Sequence, residues 1–522
     1  MRQTKRMIRT PRILLAATAV LLSGLGLALV PATALASHTQ ESIFQDDSLL
    51  GTPSVASQLG ALQQLKGLGV DTVRILVRWS SLAPSPNSTH RPNVDLTNPN
   101  SYRASAWAPY DNLVRSAQTV GIRVMLDPSP GLPRWAQTAR CPAAPASAQG
   151  VCNANPALFQ KFVQAIGTRY SGSFKGLPKV NAWEVWNEPN QIGWLGPQFK
   201  YGPHHTLIPI AAPLYRRLAV GAITGLAASG HTGAAGDRIL VGETAPIGNS
   251  YIRGINGMNA NPTVFLESVF CLNSHLSKLT GLAARQQGCT GAYRKLKATG
   301  FAHHPYQQGG FFSPYRSNPA GDITLPYVNR LEAILDAAAR AGRITGPGLP
   351  IYYTEYGFQT NPPDPNGISL NNQATYLNES DYIAFNEPRV QGVDQYLLHD
   401  DFSSGGFHTG LEYFSGKPKP SLNAYRLPLW VVRQGRNVLV WGQVRPADHK
   451  VAQKVAIQEL IGGTFVTQGQ AFTVNANGAP NAQSYFATPM RGIASSYRIA
   501  WQDPASNITY YSRSTPAYAR LP

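Results

Sequence analysis

Val180-Asn181-Ala182-Trp183-Glu184-Val185-Trp186-Asn187-Glu188-Pro189-Asn190 is the stretch on which the reading of this chain turns. A short run of β-branched and aromatic residues ends in a glutamate, and Pro189, which has no N–H for a sheet ladder, follows at once. The pattern predicts a buried strand with a carboxylate at its C-terminal tip. Six runs of the same texture flank it: DTVRILVRW (71–79), GIRVMLDP (121–128), RILVGET (238–244), GFAHHPY (300–306), PIYYTEYG (350–357) and VDQYLLHD (393–400). Between them lie Ala/Leu-rich helical stretches such as QLGALQQLKGLG, YDNLVRSAQTVG and PYVNRLEAILDAAARAG. Alternation of strand and helix implies a parallel sheet. With a first strand near Ser42–Phe44 the count reaches eight, and the expected fold is an α/β (β/α)8 TIM barrel.

Successive strands begin mostly about 45 to 60 residues apart, against about 30 per unit in a minimal barrel. The excess falls in loops after the strands, rich in Pro, Gly, Asn and Trp, where a barrel builds its active site. Beyond Leu427-Pro428 the helical texture stops. VLVWGQVRP, VAIQELIGG, GTFVTQGQAFTV and SYRIAWQD then read as short strands of a small all-β sandwich. The expected organisation is a signal peptide over 1–36, a catalytic barrel over 37–428 and a C-terminal β-sandwich domain over 429–522, with Trp441 and Trp501 read as core residues rather than sugar platforms.

The N-terminal expectation rests on Arg2, Lys5, Arg6, Arg9 and Arg12, the apolar run Ile13–Val30 and the small-residue box Ala34-Leu35-Ala36. These are the three regions of a secretory signal, which places the mature start near Ser37, the protein outside the cell, and no membrane partner after cleavage. Removing those five cations from the formal charge of +18 leaves a basic mature chain of +13. Its basic residues are scattered rather than clustered, so nucleic acid is not an expected partner, and anionic cell-envelope polymers are the partner class that the charge admits. Cys141, Cys152, Cys271 and Cys289 form two sequence-local pairs, expected in an oxidising compartment as Cys141–Cys152 and Cys271–Cys289 disulfides.

No H-E-x-x-H helix, G-x-S-x-G elbow, Walker A loop, strand-linked G-x-G-x-x-G or C-x-x-C pair occurs, so no metal and no cofactor is expected. Carboxylates at strand ends remain. Cleavage of a glycosidic bond needs two of them, one to protonate the departing oxygen and one to attack or to activate water. Glu188 and Glu355, the latter in Ile351-Tyr352-Tyr353-Thr354-Glu355-Tyr356-Gly357, are the candidates. Side-chain alternation turns Glu184, Trp186 and Glu188 to one side, with Glu184 deeper as a buried charge for Arg74 or Arg78. In Phe301-Ala302-His303-His304-Pro305-Tyr306 the same rule puts His304 and Tyr306 together and His303 opposite, as a packing histidine. His304 then lines the subsite, Tyr306 donates to the nucleophile, and Arg74 adds positive charge near Glu355. Trp135 and Trp194, in loops that follow strands, are the expected sugar platforms.

WEVWNEPN, then HPY, then YYTEYG resembles clan A of the glycoside hydrolases, which includes the cellulase-like family 5 and the xylosidase and iduronidase family 39. The resemblance covers about residues 41–428. It implies a retaining enzyme in which Glu188 is the acid/base, Glu355 the nucleophile, Asn187 the partner of the substrate 2-hydroxyl, and Tyr306 and Arg74 the support of the nucleophile. Asp127 and Leu397-Leu398-His399 stand where family 5 usually has histidine and tryptophan, so the family within the clan stays open. The function expected is hydrolysis of β-linked oligo- or polysaccharides. The alternative is a non-catalytic carbohydrate-binding or envelope-attachment protein on the same fold.

Overall fold

The structure, a computed structural model, describes residues 37, 39–139, 150–248, 258–403, 405–475 and 477–519. The expected signal peptide and Cys141 lie outside them. Eight parallel strands close into a barrel: β1 (Glu41–Gln45), β2 (Thr72–Arg78), β3 (Arg123–Ser129), β4 (Ala182–Trp183), β5 (Arg238–Thr244), β6 (Gly300–His303), β7 (Ile351–Tyr353) and β8 (Val390–Tyr396). Each strand pairs with its sequence neighbour, and β1 pairs with β8 to close the ring. The chain therefore folds as the expected (β/α)8 barrel, with helices between the strands.

One of those helices shows how its sequence sets its start. Helix α1 (Pro156–Arg169) begins at Asn155, whose Oδ1 accepts from the Ala157 and Leu158 N–H groups at 3.0 and 3.2 Å, with Pro156 in the first turn. Its apolar face, with Phe159, Phe162, Val163 and Ile166 buried, packs against α2 (Ala211–Ala228) and the barrel wall. Among the described residues no helix is long and apolar enough to cross a membrane.

The barrel interior is layered. Ile43, Met125, Ala182, Leu240, Ala302 and Tyr352, one residue from each of six strands, form an apolar plug at the bottom. Two residues further along, the same strand faces present Gln45, Asp127, Glu184, His304 and Thr354, and β2 adds Arg74. Period-two alternation thus stacks a buried polar layer on an apolar one. On β5 the alternation is broken. Gly242 has φ +119, a backbone that a side chain would strain, and a Cβ there would stand 2.4 Å from the Phe301 ring. The register shifts between Gly242 and Thr244, and Glu243 (φ +47) is turned into the barrel by this bulge.

After the barrel come two antiparallel sheets. One joins β9 (Leu429–Gln434), β10 (Asn437–Gln443) and β13 (Tyr485–Arg491). The other joins β11 (Lys454–Ile461), β12 (Thr464–Phe472), β14 (Tyr497–Gln502) and β15 (Thr509–Tyr511). Val431, Val438, Val440, Val455, Ile457, Ile499 and Trp501 from both sheets share one core. Trp441 faces the other way, into a cluster with Phe385, at the C-terminal end of α3 (Leu370–Phe385), and with Tyr485. Arg445 pairs with Asp381 at 3.2 Å, and its backbone passes so close to Gly69 (φ +85) that a Cβ there would meet the Arg445 carbonyl at 2.1 Å. Cys271 and Cys289 form the expected disulfide, Cα–Cα 5.6 Å. Cys152 is buried, and no described cysteine is free.

Candidate active site

The guanidinium of Arg74 is fully buried at the centre of the polar layer and bonds to six side chains from five other strands or their tips. It donates through Nε to Glu184, through Nη1 to Gln45 and to Glu355 Oε2 at 3.4 Å, and through Nη2 to Asn187 Oδ1 at 2.8 Å, Glu243 Oε2 at 2.7 Å and Asp127 Oδ2 at 3.2 Å. Arginine suits this place because its planar fork offers five donors in fixed directions. Glu184 is thus the buried charge that the sequence assigned to an arginine, and the partner is Arg74, not Arg78.

Above Arg74, His304 ties the two candidate glutamates together. Its Nδ1 lies 3.0 Å from Glu188 Oε1 and 3.8 Å from Glu355 Oε2, and its Nε2 lies 3.0 Å from Glu243 Oε2. One oxygen of Glu188, one nitrogen of His304 and one oxygen of Glu355 all lie within 4.8 Å of one another. Tyr306 donates its hydroxyl to Glu355 Oε1 at 3.2 Å, and Thr354 donates to Glu243 Oε1 at 3.1 Å. His303 faces outward, between Thr244 Oγ1 at 2.8 Å and the Ile323 carbonyl at 2.7 Å, and burial pushes it down to about 4. It is the packing histidine expected.

Burial and the neighbouring charges together set the proton distribution. Burial pushes Asp127 up to about 7, despite the pull of Arg74, and raises Glu184 and Asp394 well above the carboxylate range. For Glu243, burial is outweighed by Arg74 and by the His304 hydrogen bond and charge, and the group is held below its ordinary value. For His304, burial opposes the charged ring, but Glu355, Glu188 and Glu243 raise it well above 6.5. Burial raises Glu355, His304 pulls it back, the Glu188 carboxyl raises it again, and Arg74 and Tyr306 oppose that rise. The oxygens of Asp127, Glu184 and Glu243 come close enough together to hold a metal ion, but the Arg74 guanidinium stands among them as their cation.

A cavity of about 550 Å³ opens over this group, lined by Asn187, Glu188, Glu355 and Tyr306 together with Trp194, Arg78, Tyr396 and Phe407. The loop that carries Glu188 is fastened by Asn190, which bonds to the backbone of Ala245 and Ala260. Trp186 (φ +69), Glu188 (φ +39) and Leu397 (φ +72) join Glu243 in the left-handed region at strand tips, each at a cost of about 1–3 kcal/mol that the packing around the mouth must offset.

Three expectations are corrected here. His304 does not line the cavity: it is fully buried beneath it and reaches it only through Glu188 and Glu355. Trp186 does not face the same way as Glu184 and Glu188. Its left-handed backbone breaks the alternation, its ring packs on Phe159 of α1, and its indole N–H donates to the Trp194 carbonyl. Trp135 does not line the cavity either. It is buried edge-on against Trp79, with its N–H on the Pro84 carbonyl, because the 130s loop folds back into the aromatic core. Trp194 does line the cavity, with Arg78 5.7 Å from its ring. Glu243 and Gln45 were not singled out in the sequence. At the tip of β8, where Leu397 and Leu398 are buried, aromatic lining comes from Tyr396 and Phe407.

The family model for cellulase, glycosyl hydrolase family 5, matches residues 50–386. No curated protein matches. Among solved structures, the GH39 enzyme from Xanthomonas axonopodis pv. citri is similar at 16% identity and TM-score 0.46, over 88% of this chain and 94% of that one. A monomeric β-xylosidase from Caulobacter crescentus CB15 is similar at 15% identity and TM-score 0.47, over 88% and 95%. GH5_18 from Streptomyces cattleya, in complex with GlcNAc, is similar at 16% identity and TM-score 0.43, over 75% and 79%.

Proposed function

The chain belongs to glycosyl hydrolase family 5, and from that premise we propose that it is a secreted, retaining glycosidase that cleaves β-linked oligo- or polysaccharides by double displacement. The observation that carries this reading is the approach of the Glu188 and Glu355 oxygens to within 4.8 Å. Retaining pairs stand about 5–5.5 Å apart, whereas inverting pairs stand about 6.5–9.5 Å apart to admit a water between them.

In the first step Glu355 attacks the anomeric carbon while Glu188 gives its proton to the departing oxygen, leaving a glycosyl ester on Glu355. In the second, Glu188 takes a proton from water, the water oxygen bonds to the anomeric carbon, and the ester breaks. Arg74 and Tyr306 favour the carboxylate form of Glu355 that the attack requires. Asn187 spends its amide oxygen on Arg74 at 2.8 Å, and this fixes its flip and leaves the NH2 to donate into the cavity to a sugar hydroxyl. Trp194 offers an aromatic wall for a pyranose face.

The test is a panel of aryl β-glycosides and β-linked polysaccharides, with the first-formed product anomer followed by proton NMR. A β product from a β substrate supports the reading. An α first product would mean inversion and refute the roles given to the two glutamates. Secretion is supported by the composition of residues 2–36, and N-terminal sequencing of the exported protein should start near Ser37.

A further inference from the structure

Among the described residues three arginines are buried, and two of them have carboxylate partners: Arg74 in the barrel, and Arg445, which pairs with Asp381. The third, Arg216 in the second turn of α2, is 8% exposed and has none. Its Nη1 donates to Cys271 Sγ at 2.8 Å and to the Ser268 and Val269 carbonyls at 3.3 Å, and its Nη2 donates to the Gln287 and Gly288 carbonyls at 2.8 and 3.0 Å. These neutral acceptors fix the guanidinium and tie the Cys271–Cys289 loop to the helix. They leave its charge unbalanced.

Arg216 lines a second cavity, of about 430 Å³, on the outer wall of the barrel, and the exposed Arg217 and Arg294 line it too. That is the size of a small-molecule site. All 27 Asp and Glu residues of the sequence fall among the described residues, and none of them lines this cavity. Burial presses Arg216 below its ordinary value, Tyr293 opposes, and the charges of Arg217 and Arg343 press it further. Arginines scattered along the sequence thus converge on a wall without a counter-charge, and an oxyanion is what relieves their repulsion and fits their planar forks. Helix α1 follows β3 and α2 follows β4, each running back along the barrel, so the first turns that border the cavity stand toward the end where Glu188 and Glu355 open.

We propose that the Arg216–Arg217–Arg294 cavity binds the oxyanion of an acidic glycan, a carboxylate or phosphate group on a chain that extends beyond the catalytic cleft. The glycan as bearer of that group rests on the reading of the cleft as a glycosidase site.

The experiment titrates the full chain by calorimetry with an oligogalacturonate, which carries carboxylates, and with a glycerol-phosphate oligomer, which carries phosphodiesters. Inorganic phosphate, neutral dextran and a short duplex DNA complete the series. At least one acidic oligomer should bind, more weakly as NaCl rises, and the tighter of the two identifies the group. R217A/R294A should weaken that binding by about tenfold or more, with Tm and the turnover of a small aryl glycoside unchanged. Failure of both oligomers to bind would overturn the proposal, and so would binding that survives the double substitution. Inorganic phosphate bound as tightly as either oligomer would leave no role for the glycan, DNA bound more tightly than both would make the wall a general polyanion surface, and an equal loss of dextran binding in the variant would remove the charge from the argument; each overturns it. Binding is read without turnover, so these failures leave the glycosidase reading intact, whereas an aryl panel without turnover would refute that reading by itself.

Discussion

His304 and Glu243 stand 3.0 Å apart, Nε2 to Oε2, in the fully buried layer beneath the cavity. Because the other nitrogen of the ring reaches Glu188, Glu243 acts on the two candidate catalytic carboxyls through the imidazole and not by touching substrate.

Replacing Glu243 by Gln removes one of the carboxylates that keep His304 charged, so the His304 value falls. The alkaline limb of kcat/KM should move to lower pH, because the charged His304 ring that holds Glu188 and Glu355 together is lost earlier. The sign of the linkage is fixed: a histidine raised in the folded state gives stability that is fully present below 6.5 and lost as pH rises through the folded value. Glu243→Gln should reduce that stability term, read as a smaller difference in Tm between neutral and alkaline buffers. A rate loss uniform across pH would reduce Glu243 to a packing role.

The two glutamates should separate by their response to azide. Glu355→Ala should lose turnover whatever the leaving group, and azide should enter from the opposite face to give the inverted product. Glu188→Ala should still react with a dinitrophenyl glycoside, stall at the ester, and be rescued by azide to a β-glycosyl azide. Product NMR decides, and exchanged patterns would exchange the roles.

Asp127, pushed up to about 7 from an ordinary 3.8, leaves Oδ1 without a hydrogen-bond partner. A raised carboxyl favours the fold fully below its unfolded value, and that contribution is lost as pH climbs through the folded one. Asp127→Asn is free of this loss. Its stability relative to the wild type should therefore rise between about pH 4 and pH 7 and level off above, as urea midpoints at each pH would report.

The Cys271–Cys289 bridge closes a separation of 18 residues. Constraining a loop of that length contributes about 3 kcal/mol in the chain-entropy account. C271S/C289S should lower the unfolding free energy by that order, and alkylation of the unreduced wild type should label neither residue.

Long runs such as Thr72–Arg78, Arg123–Ser129 and Arg238–Thr244 were legible because their texture persists over whole strands. The pairing of Glu188 with Glu355, and the opposed facing of His303 and His304, followed from placement at strand tips. Where the reading failed, a backbone event was invisible in the pattern. β4 ends at Trp183, and alternation carried past that point misplaced Trp186, whose left-handed φ reverses it. On β5, alternation from Leu240 would turn Glu243 outward, and only the bulge at Gly242 brings it in. Trp135 was lost to long-range packing, since its contact with Trp79 joins loops far apart in sequence.

The attachments of the C-terminal sheets all fall on one end of the barrel: Tyr485 at Gln40 ahead of β1, Arg445 at Gly69 ahead of β2 and at Asp381 in the last turns of α3. That is the end where the strands begin, and Glu188 and Glu355 are at the other. A support that grips the sheets, whether a bead, a fused partner or a wall polymer, would therefore hold the enzyme by its base with the mouth turned outward, free to meet chains that cannot themselves diffuse.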